Sequence, residues 1–244
     1  MAGATYDVTF LEETDSTNRV AKGLAEQGAP EGTVVFAETQ TAGFGRMGRP
    51  FFSPGGSGLY FSLLLRPDPC CFDAARVTVT AAVAVAEAVE EVLKLSLSVK
   101  WVNDLYYQNK KVCGILAQGG TDGEALYCIL GIGLNVFAPQ DGFGALSEIA
   151  GALLNEKPNS ALLARLGIAI LDRFFALYKG EFTFCLKEYR RRSFLTGKTV
   201  TVVRGEERFC GTVRGIDDTG ALLVEADGTV RAFSSGEIAL EDYR

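Results

Sequence analysis

Apolar residues recur at two spacings along the chain, and the spacing separates predicted helices from predicted strands. Residues 74–95 are rich in Ala and Val, contain no Gly or Pro and are apolar around most of a helical circumference, so they predict a largely buried helix. Polar residues 15–17 are suitable caps for an amphipathic helix that ends near Gln27. Two further helices are predicted at 159–179 and 181–193.

Short runs of apolar and β-branched residues predict strands between these helices. They lie at 5–11, 33–38, 59–65, 97–102, 105–107, 112–118 and 125–133. Turn residues at 108–109 and 121–123 separate the later runs. Because such short connections join antiparallel neighbours, we expect an α+β fold with a mixed, mostly antiparallel central sheet flanked by helices.

The pattern changes after Gly197. Five short strands follow, separated by turn residues at 204–205, 218–220, 227–228 and 235–236. This spacing predicts a small C-terminal β-barrel. With the boundary near Phe194, the predicted domains are residues 1–194 and 195–244.

Composition and charge narrow the classes of protein. The 244 residues carry a formal net charge of -6, which argues against nonspecific duplex binding because that needs a basic face. No stretch approaches the roughly 18 apolar residues of a membrane span. The N-terminal sequence MAGATYDVTF lacks the basic and apolar regions of a secretory signal. We therefore expect a cytoplasmic protein that binds neither nucleic acid nor membrane.

The residue types exclude several kinds of catalysis. The chain has no histidine, which removes Ser-His-Asp and Cys-His mechanisms and the usual zinc hydrolases. Its six cysteines lack C-x-x-C spacing and are interpreted as free thiols rather than metal ligands or disulfides. Any chemistry must use Lys, Arg, Asp, Glu, Tyr or a substrate.

A glycine loop, TAGFGRMGR at 41–49, has the spacing of a dinucleotide-binding turn at Gly43, Gly45 and Gly48. Such a turn needs a helix after its third glycine, and Pro50 and further Pro and Gly residues follow here. The interpretation as a dinucleotide-binding turn is therefore rejected. Two interpretations stay open: an anion-binding loop that uses its arginines, or a solvated surface loop.

A second polar cluster lies in KWVNDLYYQNKKVCGILAQ, residues 100–118. Asn103 and Asp104 are predicted at a strand end, where they could reach a ligand or magnesium. Lys111 begins the returning strand, and alternation predicts Lys111 and Cys113 on the same face. Gly114 marks a position of close approach. The alternative is an ordinary turn with a solvated hairpin tip.

Five motifs in order make the sequence resemble the biotin protein ligases. They are DSTN (15–18), AETQTAGFGRMGR (37–49), KWVNDL (100–105), KVCGI (111–115) and GIGLN (131–135). The resemblance runs from about residue 5 to the C-terminus and implies the class II synthetase-like biotin/lipoate ligase fold with an SH3-like terminal domain. No helix-turn-helix precedes the first predicted strand, so the resemblance is to the form without a DNA-binding domain.

The resemblance also implies roles for individual residues. Those expected to bind biotin are Ser16, Thr17, Asn18, Gln40, Gly43, Phe44, Gly45, Arg46, Lys111 and Gly114. Those expected on the ATP side are Arg46, Arg49, Asn103, Asp104, Lys111 and Asn135. The candidate catalytic residues are Lys111, Arg46 and Asp104, with Asp104 either a general base or a group that orients Arg46 or Mg²⁺. Trp101 either packs beneath the site or contacts ligand.

The implied reaction uses ATP and Mg²⁺ to convert biotin to biotinyl-5'-AMP, then transfers biotin to a lysine of a biotin carboxyl carrier domain. Pairing into a homodimer through edge strands is left open. The alternatives are a lipoate or octanoate ligase and a noncatalytic biotin-binding regulatory module.

Three positions depart from the family's pattern. Phe44 replaces the first loop arginine, Phe51 or Phe52 stands near an expected tryptophan, and Val102 replaces a frequent proline. The phenylalanine near the tryptophan position could still stack on adenine.

Overall fold

The computed structural model describes residues 6–123 and 125–240, which form two β-sheets and four α-helices. The helices are α1 (Thr17–Glu26), α2 (Ala74–Leu93), α3 (Ser160–Tyr178) and α4 (Phe182–Arg192). The strands are β1 (Asp7–Thr14), β2 (Thr33–Gln40), β3 (Gly58–Leu65), β4 (Ser98–Lys100), β5 (Asp104–Tyr107), β6 (Lys110–Asp122), β7 (Ala125–Asn135), β8 (Thr199–Arg204), β9 (Glu207–Ile216), β10 (Leu222–Ala226), β11 (Thr229–Phe233) and β12 (Glu237–Leu240). Every predicted helix and strand is present within the described residues, with ends shifted by a few positions.

The larger sheet confirms the predicted mixed, mostly antiparallel arrangement. Its seven described strands lie in the order β1-β2-β3-β7-β6-β5-β4. Only β1 and β2 pair in parallel, and the other neighbours pair antiparallel.

Helices cover both faces of this sheet. The buried helix that composition predicts is α2, whose residues from Val77 to Val89 are almost all buried in the main core with α3 and α4. It ends earlier than predicted because Lys94 adopts a left-handed conformation (φ 60°). On the opposite face, Ala21 and Ala25 of α1 pack in a smaller cluster with Val35. Within the described residues, no helix has both the length and the apolar character needed to cross a bilayer.

The prediction of a C-terminal barrel is wrong, although its five strands are correct. These strands form an open antiparallel sheet in the order β11-β10-β9-β8-β12. Its apolar side chains, including Ile216, Leu222 and Val224, belong to the same buried core as α2. Because the sheet buries this face against the rest of the molecule, it has no need to close on itself.

Candidate active site

A cavity of about 180 Å³ lies where three parts of the fold meet: the glycine loop, the strands β4 to β7, and the start of β12. Ten of the residues implied by the resemblance line it: Thr17, Gln40, Phe44, Gly45, Arg46, Arg49, Asn103, Asp104, Lys111 and Gly114. Residues far apart in sequence therefore converge on one concave surface, as expected for a small-molecule site.

The glycine loop folds as a tight, irregular hairpin. The N–H of Phe51 donates to the carbonyl of Gly43, and the N–H of Gly45 donates to the carbonyl of Arg49. One 3-10 turn, Arg46–Gly48, forms its tip. In the described segment between this turn and β3 no helix begins, so the rejection of a dinucleotide-binding turn is confirmed.

The floor of the cavity is a row of cross-strand partners on one face of the sheet. The register places in this row Lys100 of β4, Asp104 of β5, Gly114 of β6, Gly133 of β7 and Tyr60 of β3. Cross-strand partners point to the same face. The row therefore runs from two charged side chains, across two glycines, to a buried aromatic ring.

Phe51 packs on the two glycines of this row. A Cβ at Gly133 would lie 2.3 Å from the Phe51 ring, and one at Gly114 would lie 3.1 Å from it. Phe51 also contacts Tyr60 edge-on, with ring centroids 6.4 Å apart. The prediction of close approach at Gly114 is therefore confirmed. Of the two candidates for the tryptophan position, Phe51 enters the cavity, whereas Phe52 is 46% exposed.

Lys111 reaches the row because of a β-bulge. At Val112 the strand β6 carries one residue more than β5 opposite it, and a bulge reverses the alternation of side chains. Nζ of Lys111 lies 2.8 Å from Oδ1 of Asp104 and against Gly114. Cys113 instead is fully buried in the core, where burial raises the pKa of its thiol. The prediction that Lys111 and Cys113 share a face is therefore wrong.

The two loop arginines have separate partners. Nη1 of Arg46 donates to Oδ1 of Asn103 over 3.2 Å, so Arg46 is held by the residue next to Asp104. Arg49 forms an ion pair with Glu237 of β12. The second partner lies in the C-terminal sheet, which therefore contributes one wall of the cavity.

Polar side chains at the other end of the cavity form a hydrogen-bonded network. Oε1 of Gln40 accepts from the backbone N–H of Thr17 over 2.9 Å. The hydroxyl of Ser62 donates to Oδ1 of Asn18 and lies 2.7 Å from the hydroxyl of Thr17, and Asn18 donates to Gln118 over 2.9 Å. Thr17, Asn18 and Ser62 are buried. The network therefore fixes polar atoms at the end of β2 and the start of α1, beside an apolar sheet.

Four implied residues do not line the cavity. Ser16 is buried and caps α1 without a side-chain hydrogen bond. Asn18 lies in the polar network, and Gly43 supports the loop hairpin against Phe51. Nδ2 of Asn135 donates to the carbonyl of Gly151 over 3.0 Å.

Trp101 packs beneath the site and is also one of the residues that line the cavity. It is 4% exposed, and its Nε1 donates to the carbonyl of Gly220 over 2.9 Å. The side chain therefore connects the cavity wall to the C-terminal sheet. The peptide bond between Trp101 and Val102 is cis.

Sequence reasoning missed several site residues. Ser62 is a polar residue inside the apolar strand LYFSLLL, a pattern that could have revealed it. Gly133 lies within the motif GIGLN (131–135), which contributed only to the resemblance. Lys100 lines the cavity, and burial lowers the pKa of its ammonium; Asp104 opposes this shift, while Lys111 and Arg49 add to it. Glu237 carried no sequence signal, because only folding brings it to Arg49.

Two family models and several known proteins match this chain. Residues 10–135 match the family described as Biotin/lipoate A/B protein ligase family, and residues 195–240 match the biotin protein ligase C terminal domain. The bifunctional ligase/repressor BirA of Bacillus subtilis is 34% identical over 237 residues, covering 95% of this chain and 73% of that protein. The biotin–[acetyl-CoA-carboxylase] ligase of Paracoccus denitrificans is 28% identical, covering 94% of this chain and 98% of that protein.

A solved structure covers the whole arrangement. The biotin protein ligase from Aquifex aeolicus, in complex with biotin and ATP, superposes with a TM-score of 0.81 at 28% identity, covering 97% of this chain and 99% of that chain. Both sheets of the present fold therefore have counterparts in a biotin ligase. The chain belongs to the biotin/lipoate A/B protein ligase family.

Proposed function

We propose that this protein uses ATP to convert biotin to biotinyl-5'-AMP and then transfers biotin to a lysine of a biotin carboxyl carrier domain. The observation that carries the proposal is the convergence of Lys111, Arg46 and Arg49 on one cavity whose opposite end is a glycine floor beside a fixed polar network. The cations suit phosphate, and the floor and network suit a compact ring with a polar group and an apolar chain.

In the first step, the biotin carboxylate attacks the α-phosphorus of ATP and pyrophosphate leaves. Negative charge accumulates on the phosphoryl oxygens, so the protein contributes mainly positioning and positive charge. Lys111 stands next to Gly114, between the floor and the charged end of the row. We assign it to the carboxylate and the α-phosphate together, with Arg46 on the phosphate from the loop side.

In the second step, the acceptor lysine attacks the mixed anhydride and AMP leaves. A free lysine has a pKa of about 10.4, so only about one in a thousand is deprotonated near neutral pH. A carboxylate near the anhydride can accept the proton that the amine must lose. We assign this role to Asp104, which also holds the ammonium of Lys111 at 2.8 Å.

Biotin is assigned to the glycine-floored end of the cavity. The hydrogen-bonding groups of Thr17 and Gln40 face the ureido group, since an amide and a hydroxyl match its donors and acceptors. Gly114 and Gly133 leave room for the Phe51 ring to lie on the sheet, where the ring lines the space assigned to biotin. Asn18 and Ser16 are assigned a supporting role, because Asn18 bonds to Ser62 and Ser16 is the N-cap of α1. Asn135 supports the site by its hydrogen bond to the backbone of Gly151.

Magnesium is assigned to the triphosphate and not to a protein cage. No group of three His, Cys, Asp or Glu side chains suited to a metal exists among the described residues. The two carboxylates at the cavity each face a cation, Asp104 with Lys111 and Glu237 with Arg49. Magnesium commonly retains waters and binds substrate phosphates, so the triphosphate would hold the ion and bring it into the site.

The division into a catalytic part, 1–194, and a C-terminal part, 195–244, stays a proposal. The homodimer stays a prediction, with the free edge at β1 a candidate for pairing. Analytical ultracentrifugation of the purified protein, with and without biotin and ATP, measures whether it is a monomer or a dimer.

Substrate preference tests the proposed function against its rivals. We expect pyrophosphate release from ATP on addition of biotin, and none above background with lipoate or octanoate. A larger signal with lipoate or octanoate would assign the site to lipoate chemistry. Binding of biotin without any pyrophosphate release would instead indicate a noncatalytic regulatory module.

A further inference from the structure

Lys100 occupies the charged end of the floor without an assigned role. It is the last residue of β4 and the cross-strand partner of Asp104. Both side chains therefore point to the cavity face of the sheet, and Lys100 lines the cavity together with Arg49 and Glu237.

Its ammonium is half-buried and unpaired. Among the described residues, Lys100 makes no ion pair within 4 Å, whereas Lys111 and Arg49 each face a carboxylate. Burying a charge without a partner is unfavourable. Four cationic side chains line the cavity, Arg46, Arg49, Lys100 and Lys111, and among the described residues only Arg49 and Lys111 face a carboxylate. Such an excess of positive charge forms a site that a multivalent anion stabilises.

The spacing of the strands separates Lys100 from Lys111. The side chain of Lys111 lies against Gly114 of β6. Lys100 belongs to β4, two strands further along the row and beyond Asp104 of β5. Neighbouring strands are about 4.8 Å apart, so the β4 position is about 10 Å from the β6 position. A triphosphate chain that begins at Lys111 and runs along the row reaches Lys100 with its terminal phosphates.

We propose that Lys100 binds the β- and γ-phosphates of ATP and stabilises pyrophosphate as it leaves, with Arg49 on the same anion. This inference rests on the proposed function. When the biotin carboxylate forms its bond to the α-phosphorus, the bond from that phosphorus to the bridging oxygen breaks. The electron pair stays on that oxygen as pyrophosphate, and the ammonium of Lys100 neutralises the new charge. Glu237 holds Arg49 on this side from the C-terminal sheet.

Measuring adenylate formation and biotin transfer separately distinguishes a role in pyrophosphate binding from a general loss of activity. For Lys100→Ala and Lys100→Gln, we expect the KM for ATP and the inhibition constant of inorganic pyrophosphate each to rise about ten-fold or more, as for loss of a charged hydrogen bond. The KM for biotin stays within about two-fold, and transfer from added biotinyl-5'-AMP to the acceptor is unchanged, because no pyrophosphate takes part. Lys100→Arg keeps the charge and restores most of the pyrophosphate inhibition.

Lys22→Ala is the matched control, since Lys22 forms an exposed ion pair on α1 and should leave all four quantities unchanged. Unaltered pyrophosphate inhibition in Lys100→Ala would overturn the proposal, as would equal slowing of transfer from added adenylate. Failure of the unsubstituted protein to release pyrophosphate with biotin would instead reject the proposed function itself.

Discussion

At the scale of single residues, the site depends on positions where a side chain is missing or displaced. The two glycines of the floor admit Phe51, and the extra residue at Val112 turns Lys111 toward Asp104. The motifs correctly identify Lys111 and Gly114 as cavity residues. Strict alternation fails at Val112, because nothing local in the sequence marks a bulge.

Replacing Asp104 separates its two assigned roles. In Asp104→Asn we expect transfer from biotinyl-5'-AMP to the acceptor to slow about 100-fold, the range of a lost general base. Adenylate formation should slow less than about ten-fold, because the amide still contacts Lys111. Single-turnover rates of each half-reaction measure this. Equal slowing of both steps would limit Asp104 to orienting Lys111.

The glycine floor predicts a defect confined to biotin. In Gly133→Ala the added methyl group would lie 2.3 Å from the Phe51 ring, so the ring must move and changes the shape of the space assigned to biotin. We expect the KM for biotin to rise about ten-fold, with the KM for ATP changed much less.

Gly23→Ala is the control for this variant, because a Cβ at Gly23 meets nothing within 4 Å. It should leave both KM values unchanged and stabilise α1 by up to about 1 kcal/mol. An unchanged KM for biotin in Gly133→Ala would mean that biotin does not bind beside the glycine floor.

At the scale of elements, periodicity and turn residues predict the helices and strands well, and fail where tertiary packing decides. The buried helix α2 follows directly from its Ala and Val content. The five C-terminal strands also follow from their turns, but the same turns fit a closed barrel or an open sheet. Burial of Ile216 and Leu222 against the main core selects the open sheet.

Trp101 provides a test of the contact between the two sheets. In Trp101→Phe the carbonyl of Gly220 loses its 2.9 Å hydrogen bond inside a buried contact, which should lower the free energy of unfolding by about 1–3 kcal/mol. Urea unfolding followed by circular dichroism measures it.

Phe184→Leu serves as the control for this variant, since Phe184 is 70% exposed and its replacement should change stability by less than about 0.5 kcal/mol. A Trp101→Phe protein as stable as the unsubstituted one would mean that this hydrogen bond does not hold the C-terminal sheet in place.

At the scale of the whole molecule, the site is assembled from three regions that are remote in sequence. Motifs predict the convergence of the glycine loop with the β5 and β6 hairpin. They give no sign of the third region, because the pairing of Arg49 with Glu237 spans 188 residues. Such a contact depends on how the two sheets pack, which local patterns do not encode.

In the proposed reaction, the ammonium of Lys111 and the loop arginines act on the same phosphate. The most direct test is the rate of biotin-dependent pyrophosphate release by Lys111→Ala at saturating ATP and biotin, beside Lys110→Ala, whose ammonium instead contacts the carbonyl of Ser147. We expect the rate to fall by at least about 100-fold in Lys111→Ala and by only a few-fold in Lys110→Ala. A Lys111→Ala rate close to that of the unsubstituted protein would contradict this role of Lys111.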